Sequence, residues 1–221
     1  MTLVADGSIA PSSASKNTSS KDLLLELTER VIVAALYGHF AFRLWLTYKY
    51  SFDSIVGLLL LSETIPVVLV LIRKPSTSLS RRPSDWLFGI AGTTVPLLIS
   101  PAIIHPVVSQ SLCLALVVLG MAVQISAKAV LGLSFGIVAA NRGVKVLGPY
   151  RFIRHPMYAG YQITTIGLLL AMPSLLNTAL YASAFALQVI RIFREERLLS
   201  KDQDYRNFSA RVRYRLLPGV F

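Results

Sequence analysis

An all-α, polytopic integral membrane fold is what this sequence predicts, on three observations. First, 54% of its 221 residues are hydrophobic and only 15% are charged, with a mean hydropathy of +0.60. A soluble domain carries about 25% charged residues. Second, apolar runs recur at close to the ~20 residues a helix needs to cross the hydrocarbon. Third, most basic residues fall in short segments between those runs. There are 22 Lys and Arg against 11 Asp and Glu, a net charge of +11. Nucleic-acid binding is the other common source of such an excess, but this placement suits the positive-inside rule and anionic headgroups. No nucleic-acid partner is expected; membrane lipids are.

Residues 1–24 open the chain with a Ser-, Ala-, Thr- and Asn-rich stretch that reads as a disordered tail. It is not a convincing signal peptide, because no small-residue cleavage site follows a short apolar core. Residues 25–221 form one membrane domain. The first span is expected at 31–48, with His39 and Arg43 inside it, and the second at 55–72, with Glu63 and Pro66. The third is expected at 86–104 and the fourth at 108–130. The apolar stretch after Met157 is too long for one span, and Met172-Pro173-Ser174 marks a turn in it. It divides into spans at 158–172 and 176–193.

The charges orient these spans. Lys16, Lys21 and Arg30 precede the first; Arg73, Lys74, Arg81 and Arg82 follow the second. Lys128, Arg142, Lys145, Arg151 and Arg154 follow the fourth, and the tail carries seven more from Arg194 to Arg215. Six spans with both termini cytoplasmic satisfy the pattern. If the first lies flat or is re-entrant, the count falls to five. Cys113 is the only cysteine and the three histidines are scattered, so no metal site is expected.

Three constellations carry candidate chemistry. In Arg154-His155-Pro156-x-Tyr158, Pro156 biases His155 away from helical dihedrals and suits the first turn of a helix. His155 would then stand at a helix start, where free amides attract an anion, with Tyr150 and Tyr158 supplying rings and hydroxyls. The alternative is an interfacial anchor of Tyr and Arg. In Arg191-x-x-x-Glu195, followed by Glu196, residues four apart share a helix face. They either solvate the exit of the last span or form a charged patch facing a cavity. Glu63, an ionisable group in an apolar run, is costly there; it lines a substrate cavity or pairs with Arg43 or His39. Gln124, Gln162 and Gln188 read as packing contacts between helices. The tail from Tyr205 to Phe221 looks able to fold back over the loop containing His155.

Two of these regions resemble the isoprenylcysteine carboxyl methyltransferase family and its phospholipid methyltransferase relatives. The resemblance covers about residues 115–221. It rests on Gly148-Pro149-Tyr150-Arg151-x-x-Arg154-His155-Pro156-Met157-Tyr158-Ala159-Gly160 and on Arg191-x-x-x-Glu195-Glu196-x-x-Leu199. Asp204-Tyr205-Arg206-x-Phe208 and Val212-Arg213-Tyr214-Arg215-x-x-Pro218 follow, and Leu131-Gly132 precedes them. The resemblance implies a cytoplasmic connector and C-terminal tail that bind S-adenosyl-L-methionine. Tyr150, His155, Pro156, Met157 and Tyr158 would contact this cofactor, and Lys145 would cover its adenosyl part. Arg191 and Glu195 would face the acceptor as catalytic and substrate-binding residues; Glu63, in the half of the chain that carries no motif of the family, is a further substrate-side candidate on its own position. The acceptor implied is lipidic, a prenylcysteine-like carboxylate first and a phospholipid amine second. Gly120-Met121-Ala122-Val123-Gln124 stands where many relatives carry Arg and Trp. Competing readings are a small transporter using Glu63, His39 and Arg43, and a sterol-reductase-like oxidoreductase. Neither internal repeats nor a dinucleotide motif supports them.

Overall fold

A computed structural model describes residues 20–51, 54–72, 78–80, 82–99, 106–134, 140–141 and 144–221. Seven α-helices form in chain order among them: α1 (Ser20–Ser51), α2 (Ser54–Ile72), α3 (Pro83–Thr94), α4 (Gln110–Leu131), α5 (Pro156–Ala171), α6 (Leu175–Leu199) and α7 (Gln203–Arg211). Among the described residues a two-residue antiparallel pair also forms, β1 (Ser78–Leu79) with β2 (Ala140–Asn141).

Three segments are long and apolar enough to cross a membrane: Leu23–Tyr50, Gln110–Leu131 and Leu175–Leu199. Their outward faces leave Phe42, Trp45, Leu119 and Leu175 exposed, while Glu29, Gln124, Lys128 and Asn177 are buried. That inversion suits a lipid surround, in which polar groups turn toward the protein.

The boundaries differ from expectation in three places. Helix α1 begins at Ser20, within the stretch 1–24 read as tail, whose earlier residues lie outside the described set. The third expected span, 86–104, is not one continuous α-helix: α3 ends at Thr94 and a 3-10 turn, Val95–Leu98, follows. Pro96 has no amide hydrogen to continue the α-helical ladder, and residues 100–105 are outside the described set. Lys128 is not a charge beyond the fourth span; it lies in the last turn of α4 and is buried.

Helices α4 and α5 pack antiparallel at close range. A Cβ on Gly120 would meet the Thr164 amide nitrogen at 2.4 Å, and one on Gly160 would meet that of Gln124 at 2.6 Å. Only glycine permits this approach, as in other small-residue membrane interfaces. The α5–α6 turn falls at Met172-Pro173-Ser174, where the Ser174 hydroxyl accepts from the Asn177 amide and caps α6. Arg194 of α6 bonds Ser84 at 2.7 Å and Asp85 at 2.6 Å, tying α6 to the start of α3.

Candidate active site

Local sequence builds the site from the connector before α5. Gly148 adopts φ 57°, a left-handed conformation that glycine tolerates best, and opens the 3-10 turn Gly148–Arg151. His155 is the N-cap of α5, with non-helical dihedrals (φ −127°, ψ 59°) and no side-chain cap bond, and Pro156 occupies the first turn. Its imidazole is therefore available for other partners. Nε2 lies 3.2 Å from Glu196 Oε1, and the ring stacks on Tyr158 with centroids 5.7 Å apart.

Glu196 is the hub of this layer. Its Oε1 also meets Arg154 Nη1 at 3.0 Å, and its Oε2 accepts from Arg215 Nε at 2.9 Å. The C-terminal segment closes over the same place. Amides of Arg154 and His155 donate to the carbonyls of Tyr214 and Arg215, both at 2.9 Å. Arg154 Nη2 donates to Arg213 O at 3.0 Å. Tyr205 and Phe208 of α7 pack on Val144 of the connector, beside buried Lys145. Burial pushes the Tyr150 phenol well up, and the Glu195 charge adds to the effect, so Tyr150 stays a neutral hydroxyl at physiological pH.

A second layer lies deeper. The Tyr158 hydroxyl donates to Glu195 Oε2 at 3.2 Å, and Arg191 sits over the Tyr158 ring, 5.4 Å from its centroid. Arg191 and Glu195 thus share one tyrosine, the guanidinium on its face and the carboxylate on its hydroxyl. Arg191, Met157 and Tyr158 line a cavity of about 850 Å³, part of it open, together with Tyr37 and Phe40 of α1, Gln124 of α4 and Gln188 of α6. A second cavity of about 500 Å³ shares Phe40, Leu59, Ile99 and Leu168 with the first and is lined mainly by apolar side chains.

Of the residues singled out from sequence, Tyr150, His155, Pro156, Met157, Tyr158, Arg191 and Glu195 come together across the α5 start and α6. Lys145 is in the connector behind them. Glu63 belongs to α2, but its side chain lies outside the described residues. The sequence reading treated Glu196 only as a neighbour of Glu195 and counted Lys128 among the charges after the fourth span; its reading of Gln124 as a contact between helices agrees with the bond to Thr164. The Gln124–Lys128 spacing of four was the available signal for the bond between those two. No cluster of His, Cys, Asp and Glu able to hold a metal occurs among the described residues.

Buried charge at the start of one helix, beside an apolar cavity among helices of membrane-spanning length, defines an integral membrane protein with an internal polar site. Residues 108–204 match the family model for phospholipid methyltransferase, a likeness that covers somewhat less than half of the chain. The match runs from just before α4 to the first turn of α7 and contains His155, Arg191, Glu195 and Glu196; α1–α3 lie outside it. No curated protein matches the chain.

Proposed function

We propose that this protein is an S-adenosyl-L-methionine-dependent membrane methyltransferase that esterifies the carboxylate of an isoprenylcysteine-like lipid. The observation that carries this reading is Arg191, a guanidinium lining an otherwise largely apolar cavity inside a methyltransferase domain. The adjoining cavity supports a lipidic acceptor, because it adds a mainly apolar lining from α1, α2 and α5 beside the first and shares four residues with it.

The donor set suits the cofactor. Its carboxylate fits the α5 start, where His155 leaves the first amides uncapped. Its cationic end fits the tyrosine rings and Glu195. Lys145, Tyr150, His155, Pro156, Met157 and Tyr158 would hold it. When bound, the cofactor supplies an electrophilic methyl group on sulfur. Arg191 would orient the acceptor carboxylate, which is ionised at neutral pH and needs no general base, so that positioning provides most of the rate. The basic connector and tail support a cytoplasmic site with both termini on that side.

A second reading, N-methylation of a phospholipid amine, is favoured by the description of the matched family. There Glu195 would serve as partner or proton acceptor of the amine. The two separate in one assay. Purified protein is given methyl-labelled cofactor with farnesylcysteine or with phosphatidylethanolamine, and the lipid product is treated with base. Label in farnesylcysteine that base releases as methanol is expected. Base-stable label in the phospholipid would establish the second reading, and no label in either lipid would overturn both.

A further inference from the structure

One wall of the main cavity is a hydrogen-bond chain that starts at a buried lysine. Lys128 is almost fully buried in the last turn of α4. Its Nζ donates to Gln124 Oε1 over 3.0 Å and sits 5.1 Å from the centroid of the Tyr161 ring. Gln124 Nε2 donates to Thr164 Oγ1 over 3.4 Å, and that hydroxyl donates to Gly160 O over 3.1 Å. Gln124, Tyr161 and Thr164 all line the cavity.

Chemistry fixes the direction of this chain. An ammonium group has three donors and no acceptor. Gln124 must therefore turn its oxygen to Lys128 and its NH2 away from it. An amide without such a neighbour is free to flip; here the flip would set NH2 against ammonium. The NH2 carries two hydrogens, and Thr164 takes one. The wall thus presents the Gln124 amide nitrogen, and Arg191, whose guanidinium carries five N–H donors, lines the same cavity. Burying Lys128 is costly, and one result of it is a fixed amide at Gln124.

We infer that Lys128 is a positioning residue that holds Gln124 as a hydrogen-bond donor to an oxyanion headgroup, and that the pair discriminates against cationic amine headgroups. This rests on reading the cavity as the acceptor site. A carboxylate or a phosphate accepts from Gln124 and Arg191 together, whereas an ammonium group meets only donors at these two side chains.

The test is a binding titration of the purified full chain with three amphiphiles of one tail: farnesylthioacetate, farnesyl monophosphate and farnesylamine. The wild type is expected to prefer the two anions. Gln124→Glu is nearly isosteric and keeps Lys128 paired, but it replaces the donor by a carboxylate. It should lose about tenfold or more in affinity for the anions and none for the amine. Lys128→Met should erode the preference, and Lys128→Arg, again a donor-only cation, should restore it. Anion affinity unchanged in Gln124→Glu, or a preference unchanged in Lys128→Met, would overturn the inference, and either variant suffices if the other does not fold. Preference for the phosphate over the acid would support the oxyanion site and assign it to a phospholipid. Titration with S-adenosylhomocysteine on the same samples judges the methyltransferase reading separately. Headgroup selectivity without homocysteine-nucleoside binding would sink that reading and leave the oxyanion site standing.

Discussion

Glu196 is bonded to Arg154, His155 and Arg215, which come from the connector and from the tail. Removing a partner from a buried ionic cluster leaves uncompensated charge, at a cost of about 3–5 kcal/mol. Glu196→Gln is therefore expected to lower the thermal midpoint of the purified protein clearly, and to weaken cofactor binding with it, because His155 loses its orienting partner. A midpoint equal to wild type would remove Glu196 from its central position. Tyr158→Phe is a milder change. It keeps the ring under Arg191 and loses only the bond to Glu195, so a loss of about 1–3 kcal/mol is expected, read as a small shift in denaturation. At this scale the sequence was legible where residue type and spacing agree. His155-Pro156 announced a helix start, and Arg191-x-x-x-Glu195 announced a shared face. It was misleading where partners come from distant segments: nothing local tells that Glu196, rather than Glu195, meets His155 from 41 positions away.

At the level of helices, two contacts position the site. The α4–α5 pair depends on the absence of side chains at Gly120 and Gly160. Gly160→Leu is expected to abolish folding into the native pair, because backbone rather than a movable side-chain tip stands in the way. Expression with a sharp size-exclusion peak at the wild-type position would contradict this. The α3–α6 tie depends on Asp85. Burial opposes its ionisation, but the Ser80 hydroxyl and the Arg194 guanidinium outweigh that and hold its carboxyl below the usual carboxylate range. A depressed folded-state value means that the tie contributes fully above the unfolded value of 3.8 and is lost as pH falls through the lower folded one. Trp86 reports on it, since its indole donates to Ser80 O over 2.9 Å. In a Trp45→Phe background, acid titration should shift Trp86 emission below that range, and Asp85→Asn should show the shifted emission at neutral pH. An unchanged spectrum in Asp85→Asn would dismiss the tie. Helix existence and the α5–α6 turn were legible from apolar runs and from Pro173. The break in the third expected span was not read, although Pro96 stood inside it, because an apolar run looks the same in an α-helix and in a 3-10 turn.

Over the whole molecule, the matched stretch supplies Arg154, His155 and Glu196 of the charged layer and one wall of the cavity, Arg215 of that layer lies beyond it in the tail, and α1–α3 supply Tyr37, Phe40, Leu59 and Thr93 to the other wall. The acceptor would be recognised by both parts, which is why the family-like motifs alone leave the choice of lipid open. The tail closes over the α5 start through backbone bonds at Arg154 and His155. Those bonds use main-chain groups and leave only a general signature of mixed Arg and aromatic residues in the sequence. The central claim is that this closed, polar layer at the α5 start holds S-adenosyl-L-methionine. The most direct measurement is calorimetric titration of the purified protein with S-adenosylhomocysteine, alongside His155→Ala. Saturable binding by the wild type, weakened about tenfold or more in the variant as a charge-assisted contact is lost, is the predicted result. No binding by folded wild-type protein, or equal binding by His155→Ala, would contradict it.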